Sequence, residues 1–168
     1  MSVVDGARRV LERSLEFACM FFMSSLVIII VWAVLARKFG ASLTWYDEVV
    51  PIMLAWLSYF GASLAALKRG HLGFPGLIQT APPNLRLVLL VFVEVLVIAF
   101  FVILAWSGWQ IIVIIAGDTL TSLPWVHMSV TQSIIPIGAV LFIIAELLTL
   151  PDEWRAAREG RRRAHGDG

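Results

Sequence analysis

Two carboxylates lie inside strongly apolar stretches of this chain, and they are its first candidates for chemistry. Glu94 and Glu146 could relay a proton or a cation, pair with a cation of another chain, or make a buried polar contact. Helix geometry places Glu94 about 12 Å from Arg86, and Glu146 about 6 Å from Leu150, along their axes. Both are therefore expected near one membrane surface, which favours a polar contact over a relay at mid-membrane.

Other catalytic or cofactor-binding patterns do not emerge from the sequence. His71 and His165 are expected on the cytoplasmic side and His127 near the outer face, so none of them form a facing pair inside the membrane, which disfavours a haem site. Cys19 is the single cysteine, so an intrachain disulfide or thiol pair is impossible. HExxH, GxSxG and phosphate-loop motifs are absent from the sequence. We therefore predict no enzyme activity, no catalytic residue, no metal site and no cofactor.

A polar and aromatic cluster precedes the second apolar stretch. Thr44 has N-cap spacing to Asp47, and acidic residues such as Asp47 and Glu48 suit the first turn of a helix. Trp45, Asp47 and Glu48 could therefore simply begin a helix at the membrane surface. Alternatively, these three residues could form a docking contact for a partner outside the membrane.

Small residues are concentrated in the second apolar stretch. Gly61 and Ala65, and likewise Ala62 and Ala66, are separated by four residues, and Trp56 lies one turn earlier. Small side chains allow helix backbones to approach closely in lipid. These residues are expected to pack either against other helices of this chain or against another membrane subunit.

The elements that position these residues follow from the composition. The chain is 60% hydrophobic and 15% charged, whereas an ordinary globular domain is about 45–50% apolar and about 25% charged. Four stretches are long enough to cross a hydrocarbon core of about 30 Å, and lipid requires them to be helical. We predict an all-α integral membrane protein. Its single domain, 1–150, has spans at about 17–36, 49–67, 87–115 and 127–149, followed by a polar, Arg-rich tail at 151–168.

The distribution of Lys and Arg predicts the orientation of these helices. Eleven basic residues fall in the two terminal segments and the loop between the second and third spans, and only Arg37 and Lys38 fall on the opposite side. Because basic residues are retained in the cytoplasm, both termini are predicted to be cytoplasmic. The eleven residues are Arg8, Arg9, Arg13, Lys68, Arg69, Arg86, Arg155, Arg158, Arg161, Arg162 and Arg163.

The loop between the second and third spans has two parts. Lys68, Arg69 and His71 directly follow the second span and are predicted to anchor it at the cytoplasmic interface. Residues 72–80 are apolar but broken by Gly and Pro, which predicts a short segment lying on that interface. The lipid bilayer is therefore an expected partner, whereas a net charge of +1 gives no case for nucleic acid.

Several short motifs occur in an order that is typical of one transport family. They are Trp45-x-x-Glu48, Trp56, Gly61-Ala62, Lys68-Arg69-Gly70-His71, Thr121-Ser122-Leu123-Pro124 and Ile135-Pro136-Ile137-Gly138. Together with the four spans, they resemble the small membrane subunit of TRAP (tripartite ATP-independent periplasmic) transporters, the DctQ-like family. The resemblance covers roughly residues 10–150. The Gly73-Phe74-Pro75-Gly76 stretch departs from the more regular segment that is usual there.

The resemblance implies a role that spacing alone does not. A periplasmic solute-binding protein would deliver a small organic acid to a complex of one large and one small membrane subunit, and an ion gradient would drive import. The small subunit would brace the large one and help dock the binding protein. Trp45, Asp47 and Glu48 would lie near the docking surface, and Trp56 and Gly61 on the packing helix.

Three rival interpretations remain at this stage. A self-sufficient four-helix exporter would use Glu94 as its proton carrier, which requires that carboxylate near mid-membrane. The small subunit of a tripartite tricarboxylate system would also have four spans. A quinone or haem anchor of a membrane enzyme would need paired intramembrane histidines, which the sequence does not provide.

Overall fold

The computed structural model describes the backbone of residues 3–41, 43–68 and 83–159. Side chains are described for 6–41, 43–68, 88–89 and 91–151. Within this part of the chain, four helices are long and apolar enough to cross a membrane. This confirms the predicted all-α class with four transmembrane helices. The predicted interfacial segment at 72–80 lies outside the described residues.

Five helices follow one another along the described chain. The short helix α4 directly precedes α5, from which it is separated at Ser133. The helices are α1 (Val3–Lys38), α2 (Tyr46–Leu67), α3 (Pro83–Ile114), α4 (Met128–Gln132) and α5 (Ile134–Glu159).

The helices at both ends of the chain extend beyond the predicted spans. With 36 residues, α1 is about 54 Å long, well beyond a hydrocarbon core of about 30 Å. It begins at Val3 because the polar residues before position 17 include good helix formers such as Arg, Leu and Glu. Likewise, α5 continues to Glu159 into the predicted polar tail, which is rich in Ala, Arg and Glu at that point.

The turn between α1 and α2 contains a glycine motif at the end of α1. Helix α2 then begins without a side-chain cap. Gly40 has a φ of 80°, and its N–H bonds to the carbonyl of Arg37 while the N–H of Ala41 bonds to that of Ala36. This is a Schellman motif, which the left-handed glycine makes possible. The predicted Thr44 cap is wrong: Trp45 is the N-cap residue of α2, in the right-handed helical region, and makes no side-chain cap bond.

The four long helices pack in a row in the order α1, α2, α5, α3. The major helix contacts are α1 with α2, α2 with α5, and α5 with α3. Thus α2 and α5 are central, while α1 and α3 occupy the edges. We call the end of this array that carries the 115–127 loop the Glu48 end, and the opposite end the Lys68 end.

Buried residues of α1 form a seam against α2. Leu15, Leu26 and Ala33 are buried and recur at helical spacing. Between them, the ring of Phe22 stacks on that of Trp56, with centroids 5.7 Å apart. The remaining circumference of α1 exposes large apolar side chains, as expected for an edge helix facing lipid.

The first turns of α5 make close contacts with both neighbouring helices. Pro136 lies in the first turn of α5, where a missing backbone N–H costs little. The helical structure is interrupted three residues earlier, at Ser133. A Cβ built on Gly108 of α3 would lie 2.9 Å from Pro136 Cδ. A Cβ on Gly138 would lie 2.6 Å from Tyr59 Cδ1 of α2. Both glycines are therefore needed for the helix backbones to approach this closely.

A hydrophobic core lies in the half of the array nearer the Lys68 end. Leu15, Ala66, Leu67, Phe142 and Ala145 are buried together there, bringing α1, α2 and α5 into one cluster. On the other side of α5, the rings of Phe101 and Phe142 stack with centroids 3.8 Å apart. We call the contacts at Gly108 and Gly138 the glycine crossings. The hydrophobic core lies on the Lys68 side of these crossings and holds the neighbouring helices side by side there.

The glycine crossings predict a difference between two conservative substitutions. Gly138→Ala should destabilise the chain by about 1–3 kcal/mol, because the new methyl group overlaps Tyr59. Gly61→Ala is the matched control. Its Cβ would meet no atom within 4 Å, and alanine favours a helix more than glycine does. Thermal unfolding of both purified variants in detergent measures this. Equal midpoints for the two variants would contradict the close crossing.

Candidate functional site

Glu48 fastens the loop between α3 and α4 to the start of α2. Its carboxylate accepts hydrogen bonds from the Ser122 backbone N–H, at 3.0 Å, and from the Ser122 hydroxyl. Hydrogen bonds to a charged acceptor are stronger than those between neutral groups. Glu48 thus holds two segments that are 74 residues apart in sequence.

The fastened loop, residues 115–127, has its own backbone pairing. Thr119 and His127 form an antiparallel bridge, and the Leu120 N–H bonds to the Val126 carbonyl at 3.1 Å. A turn closes this pairing, with the Val126 N–H bonding to the Leu123 carbonyl. The loop therefore presents a defined surface at the Glu48 end.

The three residues predicted to dock a partner have different environments. Trp45 is half-buried beside the start of α2, and Glu48 is engaged with Ser122. Asp47 is exposed, as is Trp125 at the tip of the loop. Asp47 and Trp125 are thus accessible at this end, while Glu48 positions the loop beside them.

Trp56 connects three helices of this chain. Its ring packs between Phe22 of α1 and Phe60 of α2, and its indole N–H donates to the Thr131 carbonyl of α4 at 3.2 Å. Helix α4 is interrupted at Ser133, so its carbonyls need donors from outside the helix, particularly in lipid. The side chain of Trp56 therefore serves packing within the chain.

The small residues of α2 do not share one face. Ala66 is fully buried in the hydrophobic core, whereas Ala62 and Ala65 are exposed. Gly61 is half-buried, and a Cβ placed on it would meet no atom within 4 Å. Only Ala66 of the four predicted small packing residues therefore lies in the core of this chain.

The exposed positions of α2 form a continuous stripe along the helix. They are spaced by three or four residues, as expected for one helix face. Compared with the exposed stripe of α5, which consists of bulky aliphatic side chains, the α2 stripe is small and partly polar. The α2 stripe contains Asp47, Pro51, Leu54, Ser58, Ala62 and Ala65, and the α5 stripe contains Ile137, Val140, Ile144 and Leu147.

Ion pairs and a backbone contact join α1 and α2 at the Lys68 end. Lys68 forms a hydrogen-bonded ion pair with Glu16 and lies 3.6 Å from the Glu12 carboxylate. One helical turn nearer the N-terminus of α1, Arg8 donates to the Leu67 carbonyl at 3.1 Å. Arg8 thereby satisfies a carbonyl in the last turn of α2, where helices leave such groups unpaired.

The charge of Lys68 is reinforced by its partners. The hydrogen bond to Glu16, together with the negative charges of Glu16 and Glu12, raises the pKa of Lys68 above its ordinary value. Lys68 is therefore protonated throughout the neutral range, and its contribution to the pair is lost as the pH rises through that raised pKa. Arg69 and His71, predicted to share this anchoring role, lie outside the described residues.

The two carboxylates in apolar helices belong to the neighbouring helices α3 and α5. Glu94 is half-buried, and Glu146 is buried at 4% exposure. The Thr149 hydroxyl donates to the Glu146 backbone carbonyl at 2.9 Å in the same buried region. Both glutamates make polar interactions within the chain. Both glutamates lie toward the Lys68 end of their helices.

Two packing glycines were not singled out as such by the sequence analysis. Gly108 was passed over within the long third span, and Gly138 was noted only as part of a family motif. An isolated glycine inside a helical pattern costs about 1 kcal/mol relative to alanine, which itself signals a packing requirement. Ser63 of α2 supports the same crossing, since its hydroxyl lies 3.4 Å from the Gly138 carbonyl.

Comparison with known proteins identifies the family of this chain. The family described as "Tripartite ATP-independent periplasmic transporters, DctQ component" matches residues 26–156. The chain belongs to the DctQ family. The match includes Glu48 and Ser122, whose hydrogen bonds we call the Glu48 clamp. It also includes Trp56, both glycine crossings and the whole of α2.

A curated relative supports this assignment. The C4-dicarboxylate TRAP transporter small permease protein DctQ of Vibrio cholerae serotype O1 is 30% identical over 96 residues. That alignment covers 56% of this chain and 41% of the relative, so the matched region spans less than half of the relative's length. Family membership and the four apolar helices together indicate a multi-pass inner-membrane transport component, a class of protein distinct from enzymes.

The Glu48 clamp predicts a local change in loop dynamics. Glu48→Ala should increase hydrogen exchange of the Ser122 amide and its neighbours several-fold, because their acceptor is removed. Asp47→Ala is the matched control, since this exposed carboxylate precedes Glu48 in the same helical turn. Hydrogen-exchange mass spectrometry of the 115–127 region provides the measurement. Unchanged exchange in the Glu48 variant, or equal increases in both, would show that the clamp does not hold the loop.

Proposed function

We propose that this DctQ-family chain is the small accessory membrane subunit of a TRAP-type secondary transporter. The match of the family over residues 26–156 is the observation that carries this proposal. Its partners are the large membrane subunit, which holds the substrate and ion sites, and a periplasmic solute-binding protein. The small subunit stabilises the large subunit and contributes to docking of the binding protein.

The cargo of this transporter is a small organic acid, such as a dicarboxylate or a sugar acid. The name of the Vibrio relative, a C4-dicarboxylate transporter subunit, supports this class. Import is driven by an ion gradient in symport, as the family resemblance implies. No residue of this chain is assigned to the substrate or the ion.

The Lys68 end of the array faces the cytoplasm in this proposal. In the sequence, eleven Lys and Arg residues fall in the two terminal segments and between α2 and α3, whereas only Arg37 and Lys38 fall between α1 and α2 or between α3 and α4. Because this asymmetry determines the orientation of membrane helices, both termini are cytoplasmic. The Glu48 end then faces the periplasm, where the binding protein is present.

The exposed stripe of α2 is proposed as the surface that packs against the large subunit. Its small residues, Ser58, Ala62 and Ala65, contrast with the bulky aliphatic stripe of α5, which suits lipid. Of the four described spans, α2 is also the least hydrophobic. Since small side chains allow close packing of helices in lipid, α2 gains more than the other helices from a protein neighbour.

The loop 115–127 is proposed as the part of the docking surface that this chain contributes. The Glu48 clamp and the backbone bridge order the loop, so that little conformational entropy is lost on binding. Asp47 and Trp125 are the accessible polar and aromatic groups beside it. Aromatic anchors of this kind are common at protein interfaces.

Co-purification with the large subunit tests the accessory role. The unmodified chain, co-expressed with the large multi-span subunit of its own transporter, should be recovered in a stable complex. Gly61→Leu and Ala65→Leu should each reduce the recovered complex several-fold, because bulky side chains would separate the two subunits. The monomer should keep its thermal stability, since Ala65 is exposed and a Cβ on half-buried Gly61 would meet no atom within 4 Å.

Ile144→Phe is the matched control, because it enlarges an exposed side chain on the neighbouring helix α5. This variant should assemble normally if α5 faces lipid. Loss of assembly in the control alone would move the interface from α2 to α5. Substrate transport by the purified chain alone in liposomes would defeat the accessory role altogether.

The buried glutamates supply a separate prediction about mechanism. Glu94→Gln keeps the shape of the side chain and one acceptor oxygen, replaces the other oxygen by an NH2 donor, and removes the titratable group. Transport by the reconstituted complete transporter should remain within about twofold of the unmodified complex, because a purely structural polar contact survives this change. Glu146→Gln serves as the parallel measurement on α5. Abolished transport in either fully assembled variant would instead favour a proton relay.

A further inference from the structure

The charges at the Lys68 end of α1 are divided between two sides of the helix. Glu12 and Glu16 are engaged by Lys68, and Arg8 contacts the Leu67 carbonyl, so these groups face α2. Arg9 and Arg13 are exposed, and neither forms an ion pair with any described side chain. Arg9 and Arg13 therefore form an exposed cationic pair that takes no part in the contacts with α2.

The two arginines share an open groove on the surface of α1. Gly6, Arg9, Val10 and Arg13 line this groove, and a Cβ on Gly6 would meet no atom within 4 Å. Arg9 and Arg13 are four residues apart, so their side chains emerge one above the other on one helix face. Two guanidinium groups in this arrangement can bind a phosphate group from adjacent positions.

An apolar surface continues from the arginines toward the membrane centre. Phe17 lies one turn beyond Arg13, and Met20 and Val27 continue the same face at helical spacing. Their side chains are exposed, with 69% of Phe17 accessible. An anionic group bound at Arg9 and Arg13 would thus be followed, within about 6 Å along the helix axis, by a surface suited to acyl chains.

We propose that Arg9 and Arg13 bind the phosphate headgroup of an anionic phospholipid, whose acyl chains lie along the Phe17 face of α1. The adjoining apolar face favours a lipid over free phosphate, because only the lipid has acyl chains that can contact this face. The site is built from side chains on the surface of α1 away from α2, so it is compatible with the subunit packing proposed above. It does not depend on the identity of the transported substrate.

The contribution of the arginines to lipid affinity can be measured directly. The full chain in detergent is titrated with phosphatidylglycerol, and with zwitterionic phosphatidylcholine, and bound lipid is counted by native mass spectrometry. A basic residue near an anionic headgroup contributes roughly fivefold in affinity, so Arg9→Gln combined with Arg13→Gln should weaken phosphatidylglycerol binding about 25-fold. Binding of phosphatidylcholine should change less than about twofold, because it carries no net charge.

Arg37→Gln combined with Lys38→Gln is the matched control, since it removes an exposed basic pair from the other end of the same helix. This control should retain phosphatidylglycerol binding, and Arg9→Lys combined with Arg13→Lys should retain most of it. Equal weakening in the two glutamine double variants would overturn the proposal in favour of non-specific charge. Displacement of the lipid by an equal concentration of inorganic phosphate would overturn it in favour of an anion site. Helix content by circular dichroism verifies that each variant is folded.

Discussion

The approach of α5 to its two neighbours is the packing contact on which the rest of the array depends. In the described chain, α5 is the helix that links the α1–α2 pair to α3. The contact is made where Gly108 meets Pro136 and where Gly138 meets Tyr59. In lipid there is no hydrophobic drive between helices, so such close backbone approaches supply much of the attraction. The first approach requires glycine at position 108, and the second requires glycine at position 138.

A single row of helices has consequences for how the chain is used. A helix at the edge of the row exposes most of its circumference, and even the central helices expose a stripe along their length. This arrangement suits a subunit that offers surfaces to lipid and to a larger protein, which is the role proposed for this DctQ-family member.

The predictions from sequence succeeded where a property extends over many residues. Four apolar stretches were sufficient to predict the helices, because each needs about 20 apolar residues to cross a membrane. Contacts between helices were much harder to predict. Spacing placed Ala62 and Ala66 on one face, yet Ala66 is buried and Ala62 is exposed, because the side chains lie on the boundary between two surfaces.

The details of the Glu48 end illustrate the same limit. The sequence suggested Thr44 as a helix cap and Glu48 as a docking residue. In the structure, Glu48 accepts hydrogen bonds from Ser122, a residue 74 positions away that the sequence analysis did not connect to it. No local pattern encodes such a contact, because it arises only when α2 and the 115–127 loop are brought together by the packing of α5. The family motif containing Ser122 was visible in the sequence, but its connection to Glu48 was not.

One end of the α1–α2 pair and its middle are held by different kinds of interaction. At the Lys68 end, a solvent-accessible lysine holds two carboxylates, and such attractions are screened by dissolved salt over about 10 Å at 0.1 M. Farther along the pair, the stacking of Phe22 on Trp56 carries no charge and is indifferent to salt. Because buried Leu15 and Leu67 pack together at the same end, salt weakens the ion pairs there without removing the apolar contact that joins the two helices.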